Sequence, residues 1–291
     1  MLSRLIKEAS SIISADSIML DYPRYRAHEN KVNLHYYHAE RQEGGSKDSC
    51  NIGDYLSEVI VRAMLERKGF SLDDKISGKR HLYAIGSILQ MGYQNATVWG
   101  SGFAFEPNGF RALPHKPPFR RLDVRCVRGP YTRRTLLRMG HSCPNIYGDP
   151  AVLLPLFYQP LSKEKKFDYL VIPHYSMFEK AREVVDSEQL VSMNTKDYCS
   201  LVDKIVSAKK VISSSLHGII LAEAYGVPAI YYEDRPERFR YKYEDWYAST
   251  GRGIHVETDL QKAITMEVAN VPDLARMKNQ LVESFPYDLW M

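Results

Sequence analysis

Apolar residues recur along the chain in two alternating rhythms, short β-prone runs and longer stretches in which they return about every three to four positions. Such alternation predicts strands and helices layered in an α/β fold. Residues 31–37 give the first strand. A helix is expected at 55–68, where Leu56, Val59, Ile60, Ala63 and Met64 share one face and Gly69 closes it. Residues 81–89, 96–103 and 122–127 read as strands, and 131–139 as a helix with Pro130 in its first turn and Gly140 at its end. Residues 147–155 read as a further strand region. The polar stretch 159–166 is the best linker candidate, and beyond it the alternation restarts. Strands are expected at 167–174 and 190–193, with helices at 178–186 and 198–208. From 233 to 247 charge and aromatic residues interleave without a period, as expected of a loop that reaches a ligand, with a salt-bridged surface turn as the alternative. Residues 260–268 and 271–285 read as closing helices.

The sharpest local pattern lies at 211–232. Val211 and Ile212 stop in Ser213, Ser214 and Ser215; Leu216, His217 and Gly218 then open an apolar helix, and Gly226 and Pro228 precede a second β-prone run. This is one βαβ unit with its polar residues where the strand ends and the helix begins. Open α/β sheets bind ligands at that end, and helix N–H groups attract anions. A cap needs one Ser; three beside a His point to a phosphate or carboxylate site. The alternative is that the serines cap the helix and His217 packs beneath it.

Other residues fall at similar junctions. Gly53 lets the backbone approach a ligand closely, and Asp54 either caps the first helix, the favoured local reading, or takes a proton. Gly86-Ser87 and Gly100-Ser101-Gly102 stand on neighbouring strands and would line one cleft. Arg128 sits at a strand-to-helix junction aimed at the same cleft, with Arg125 as the alternative inward residue. Asp149 lies in a rigid Asp-Pro turn.

At 291 residues the chain holds one large domain or two of about 140. The patterning favours two: an N-terminal Rossmann-like domain at 1–158 with a lead-in helix at 1–20, a C-terminal one at 167–270, and a closing helix at 271–291. With 44% hydrophobic and 25% charged residues, the composition is that of a soluble globular protein. No apolar run is long enough to span a membrane, and the charges within 1–20 argue against a secretory signal. Cys50, Cys126, Cys143 and Cys199 are widely spaced, which fits reduced thiols in the cytoplasm better than a metal site or a disulfide framework. The net charge of +4 suits an anionic small substrate and permits loose peripheral membrane contact, but includes no basic block of the nucleic-acid-binding kind. Twenty tyrosines are compatible with sugar binding.

Several of these pieces together resemble the polysaccharide pyruvyl transferases. They are Asn51-Ile52-Gly53-Asp54, Trp99-Gly100-Ser101-Gly102, Val127-Arg128-Gly129-Pro130 with Thr132, and Gly148-Asp149-Pro150-Ala151. Ser214-Ser215-Leu216-His217-Gly218 follows, with Ala222-Glu223-Ala224 and Val227-Pro228, all in the family's order over residues 34–232. Phe239-Arg240-Tyr241-Lys242 and Asp245-Trp246-Tyr247 also look like bacterial members. The resemblance implies two Rossmann-like domains facing across a cleft, as in GT-B glycosyltransferases. It implies phosphoenolpyruvate as co-substrate and a glycan or lipid-linked oligosaccharide acceptor that receives a pyruvate ketal; the sequence holds no visible metal cluster, so neither a metal nor a further cofactor is required.

On this reading His217 is the acid/base or phosphate contact, and Asp54 or Asp149 deprotonates the acceptor. Ser214, Ser215, Gly53 and Ser101 line the substrate site. Some relatives carry an Arg two positions before the His; here Ser215 stands there. Donor charge is therefore expected from Arg128 and one of Arg235, Arg238 and Arg240. The rival readings are a GT-B glycosyltransferase using a nucleotide sugar, with Glu233 or Glu244 on the ribose, and a non-catalytic sugar-binding module.

Overall fold

Two parallel sheets organise the chain in the computed structural model, which describes residues 28–36, 50–92, 94–107, 112–113, 115–234, 236–268 and 270–291. The lead-in helix expected at 1–20 and the side chains of Arg235 and Arg238 lie outside what is described. The first sheet holds β1 (Val32–His35), β2 (Arg80–Tyr83), β3 (Ala96–Trp99) and β4 (Leu122–Cys126) in the order β1-β2-β3-β4. The second holds β5 (Leu170–Ile172), β6 (Val211–Ser213) and β7 (Ala229–Tyr231) in the order β5-β6-β7. Every pairing is parallel. Strands such as β1, β3 and β6 are buried along their whole length, as parallel strands covered on both faces must be.

The helices are α1 (Ile52–Glu66), α2 (Pro130–Met139), α3 (Phe178–Arg182), α4 (Tyr198–Val206), α5 (Leu216–Ala224), α6 (Tyr241–Ser249), α7 (Leu260–Thr265) and α8 (Ala275–Glu283). Helix α2 keeps its expected punctuation, with Pro130 at its start and Gly140 in the left-handed conformation at its end. In α5, Ile219, Ile220, Leu221 and Ala222 are fully buried, so the helix is apolar all round and central. Among the described residues no helix is long and apolar enough to cross a membrane.

Three expected elements differ. Residues 147–155 do not form a strand: Tyr147 makes one isolated bridge to Val127, and Pro150–Leu156 winds into a 3-10 helix. Pro150 and Pro155 have no N–H to give a ladder, and the Asp149 carboxylate accepts the Ala151 N–H at 3.0 Å, starting a helical turn instead. Residues 190–193 contribute only the bridge from Leu190 to Val171. The stretch 233–247 is not a loop either: after a 3-10 turn at Glu237–Phe239 it forms α6, which buries Tyr243, Asp245, Trp246 and Tyr247.

One cluster of buried apolar side chains runs through both sheets. It passes from Val32, Leu34 and Ile60 through Val152, Leu153 and Leu154 of the 3-10 helix to Ile172, Ile219 and Ile220. The start of α1 is also stitched to the second half, where Ile52 N–H donates to Met193 O at 2.8 Å. Helix α8 meets both halves: Trp99 Nε1 donates to Leu281 O at 3.0 Å, and Lys278 Nζ reaches Ala224 O at 3.4 Å.

Candidate active site

Asn51, and not Asp54, caps α1. Its side chain accepts the Gly53 N–H at 3.0 Å, and the helix begins at Ile52, three residues earlier than the apolar period suggests. This releases Asp54, in the first turn, from the capping role favoured locally. Gly53 is held to glycine by a neighbour from the other half of the chain. A Cβ placed there would fall inside the imidazole of His217, next to Nδ1. The start of α5 is thus pressed onto the start of α1.

His217 belongs to the first turn of α5, whose cap position is Ser215. No side-chain hydrogen bond caps that helix, so the serine turn does not serve as an ordinary cap. Ser213 Oγ instead braces the turn internally, donating to Ile172 O at 2.8 Å and accepting Ser215 N–H at 3.0 Å. His217 Nε2 faces Asp149 Oδ2 across 3.6 Å. Both atoms are buried and neither has a hydrogen-bond partner among the described residues. The other Asp149 oxygen is spent on the Ala151 N–H. A buried acceptor and an imidazole nitrogen left facing each other mark a place where a proton or a ligand group is accommodated.

Asp54 completes the cluster. Its Oδ1 lies 3.3 Å from where a Gly86 Cβ would stand, so the turn after β2 closes around the carboxyl. Burial raises its pKa to about 6, and nearby Asp149 adds to the rise; the positive potentials of His217 and Lys242 work against it. Asp54 therefore exchanges its proton close to neutral pH. Lys242, in the first turn of α6, joins the cluster without having been expected from the local sequence pattern. Its only sequence signal is its place in Phe239-Arg240-Tyr241-Lys242.

The remaining candidates take other places. Arg128 is fully buried, with Nη1 donating to Ser87 Oγ at 2.6 Å, Nη2 to Phe103 O at 2.6 Å, and Nε to Asp245 Oδ2 at 3.1 Å. It joins the first half of the chain to α6 rather than facing an open cleft. Asp245 also accepts from Tyr131 N–H at 2.9 Å, Thr132 N–H at 3.0 Å and Thr132 Oγ1 at 2.7 Å. It thereby caps α2 from more than a hundred residues away. Gly129, whose own position offers no capping side chain, leaves no room for a Cβ beside the Asp245 backbone.

Arg240 is likewise engaged, gripping Glu233 with Nε and Nη2 at 2.9 and 2.6 Å and reaching Glu237 at 3.1 Å. The guanidinium holds the Glu233 carboxyl below its usual range. Ser101 Oγ donates to Ala84 O at 2.9 Å and ties the ends of β2 and β3. Ser214 Oγ donates to Asp234 and accepts the His174 N–H at 2.8 Å, while Ser214 O accepts from Tyr243 Oη at 2.6 Å. The structure thus brings together Gly53, Asp54, Asp149 and His217, keeps Ser214 and Ser215 on the adjoining turn, and gives Arg128 and Arg240 carboxylate partners of their own.

The family model described as polysaccharide pyruvyl transferase matches residues 51–234, from the cap of α1 to just beyond β7. The chain is 27% identical over 209 residues to a mimivirus protein (Acanthamoeba polyphaga mimivirus) described as uncharacterized, covering 69% of this chain and 67% of that one. It is 25% identical over 225 residues to the succinoglycan biosynthesis protein ExoV of Rhizobium meliloti (strain 1021), covering 74% and 64%. The chain thus spans about two thirds of the length of the curated relatives it matches. No solved structure matches it significantly.

Proposed function

Because the chain belongs to the polysaccharide pyruvyl transferase family, we propose that it moves the enolpyruvyl unit of phosphoenolpyruvate onto two hydroxyls of a glycan or lipid-linked sugar. The products are a pyruvate ketal and phosphate. The observation that carries the reading is the convergence of His217, Asp54 and Asp149 around Gly53, with Lys242 near enough to bear on Asp54.

The chemistry needs an acid, a base and positive charge. An acid protonates the methylene carbon and leaves an oxocarbenium-like centre at the carbon bearing phosphate. One sugar hydroxyl adds there and gives its proton to a base. The second hydroxyl then displaces phosphate from the same carbon, and its proton leaves with phosphate. Asp54, protonated up to about pH 6, is suited to be the acid. A bound trianionic donor would hold its proton to higher pH still. His217, whose Nε2 faces Asp149, is suited to be the base. Lys242 and the uncapped N–H groups of α5 supply the positive field for the donor's phosphate and carboxylate. Arg128 and Arg240 act at one remove, through the carboxylates they hold.

This reading includes two Rossmann-like units facing across a cleft in a GT-B-like arrangement, with the two sheets' carboxyl ends turned to a common site. It also implies a cytoplasmic enzyme, where its donor is made. The test is to incubate the protein with phosphoenolpyruvate or with a panel of nucleotide sugars, each with glycan acceptors, following phosphate release and product mass. Phosphate release with gain of the ketal is expected, and lost in His217→Ala. Turnover of a nucleotide sugar alone would sink the proposal.

A further inference from the structure

The turn beside Ser214 carries a feature that the transfer chemistry leaves unused. β5 and β6 pair with Ile172 opposite Ser213, so the chain leaving β5 runs level with the serine turn. His174 N–H donates to Ser214 Oγ at 2.8 Å, and Ser214 Oγ donates to Asp234, just beyond β7. The backbone therefore fixes His174 at the same sheet edge as the turn bearing His217.

His174 also caps the 3-10 turn Tyr175–Met177. Its Nδ1 lies 2.8 Å from Ser176 Oγ and accepts the Ser176 N–H at 3.3 Å. These bonds hold the imidazole in one orientation, and the Tyr175 ring lies against it, with centroids 4.3 Å apart and planes 38° from parallel. Yet Tyr175 is 57% exposed.

A lone exposed aromatic is ordinary on a protein surface. Tyr175 differs in being seated on the hydrogen-bonded ring of a residue whose backbone is tied to the turn beside the candidate active site. We propose that Tyr175, held by His174, is the platform on which the acceptor sugar stacks, with the sugar's hydroxyl pair turned toward the His217 turn. The proposal rests on the transfer reading for the identity of the acceptor. A pyranose offers a face of C–H groups and a rim of hydroxyls, and an aromatic ring takes the first while leaving the second free. The surroundings fit a polar ligand better than an apolar one, since Ser176, Glu179 and Lys180, which follow closely in the chain, are exposed and hydrophilic. A ring already fixed in place loses little freedom when a ligand settles on it.

Saturation-transfer NMR with methyl gluco-, galacto- and mannopyranosides tests the platform without the donor. Transfer to the ring protons of at least one sugar is expected for the wild type and for Tyr175→Trp, and is lost in Tyr175→Ala. In the phosphoenolpyruvate assay, Tyr175→Ala should raise the acceptor KM by about tenfold or more, while the donor KM moves less than about twofold. The exposed position predicts an unchanged thermal midpoint, which serves as the control for folding. Equal sugar binding by Tyr175→Ala, no binding of any of the sugars by the wild type, or donor and acceptor KM rising together would each overturn the platform. Sugar binding that depends on Tyr175 in a protein that makes no ketal would remove the transfer reading and leave the platform standing.

Discussion

Asp54 shows how a residue's function is set by the residue that relieves it. Asn51 takes the cap, and the Asp54 carboxyl is enclosed between α1, the Gly86 turn and His217. Its pKa is then raised from 3.8 to about 6, chiefly by burial. The folded protein therefore binds more protons at this group than the unfolded chain does between those two values. The stability this contributes is fully present below about 3.8 and is lost as pH rises through about 6. Asp54→Asn carries no such loss. Its melting temperature should exceed that of the wild type by a margin that widens from about pH 4.5 to about pH 7.5, reaching the equivalent of about 1–2 kcal/mol. A margin that stays flat with pH would contradict the assignment.

The same enclosure makes Gly53 intolerant. Gly53→Ala should displace the imidazole, lower stability by about 1–3 kcal/mol in urea melts and reduce turnover as far as His217→Ala does. Near-wild-type turnover would mean that His217 can work from another position. The sequence made the members of this cluster legible one at a time. It did not reveal that the Asp54 carboxylate was free, because Asn51 and Asp54 are both good caps and only the backbone register decides between them.

At the level of elements, α6 departs furthest from its sequence pattern. Its interleaved charges and aromatics read as a loop reaching a ligand because no apolar stripe runs through Tyr241–Ser249, yet it is a helix in which Asp245 is fully buried. The reason lies in its partners, Arg128, Thr132 and the open start of α2, which are distant in sequence. A buried charge with a complete set of donors is satisfied, and no hydropathy pattern signals that in advance. Removing one partner is different. Asp245→Ala would strand the Arg128 guanidinium and two helix N–H groups, and is expected to lower stability by about 3–5 kcal/mol in urea denaturation. Asp245→Asn, which keeps an acceptor oxygen, should lose less. Equal effects of the two variants would show that the charge is not what holds α6 down. Helix α2 is legible because Pro130 and Gly140 punctuate its two ends, α1 from the apolar period over most of its length, and α5 from the unbroken apolar run after the serine turn, whereas the 147–155 region reads as a strand because its apolar content outweighs its two prolines.

Across the whole molecule, the alternation of strand and helix correctly implied parallel sheets, since parallel neighbours need crossover helices between them. Of the contacts between the halves, the closing helix lying across both and the His217 turn facing Gly53 were legible, and the continuous apolar cluster was not. One apolar cluster passes from the first sheet through the Pro150–Leu156 helix to α5, and Trp99 is bonded to α8. Thermal unfolding should therefore proceed as one transition, with tryptophan fluorescence and far-ultraviolet circular dichroism coinciding. Two separated transitions would show that the halves melt independently.

The cap that Asp245 places on α2 also bears on how the protein is made. A ribosome releases the first sheet well before Asp245 and Leu281 emerge, so at that stage Arg128 lacks its counter-charge and the Trp99 indole lacks its acceptor. Domains commonly fold in the order of synthesis, but here the first sheet needs a much later segment to complete its contacts. The first half therefore cannot complete these contacts until residue 281 has emerged, and nascent chains halted before residue 245 are expected to present that half to chaperones and proteases in an unfinished state.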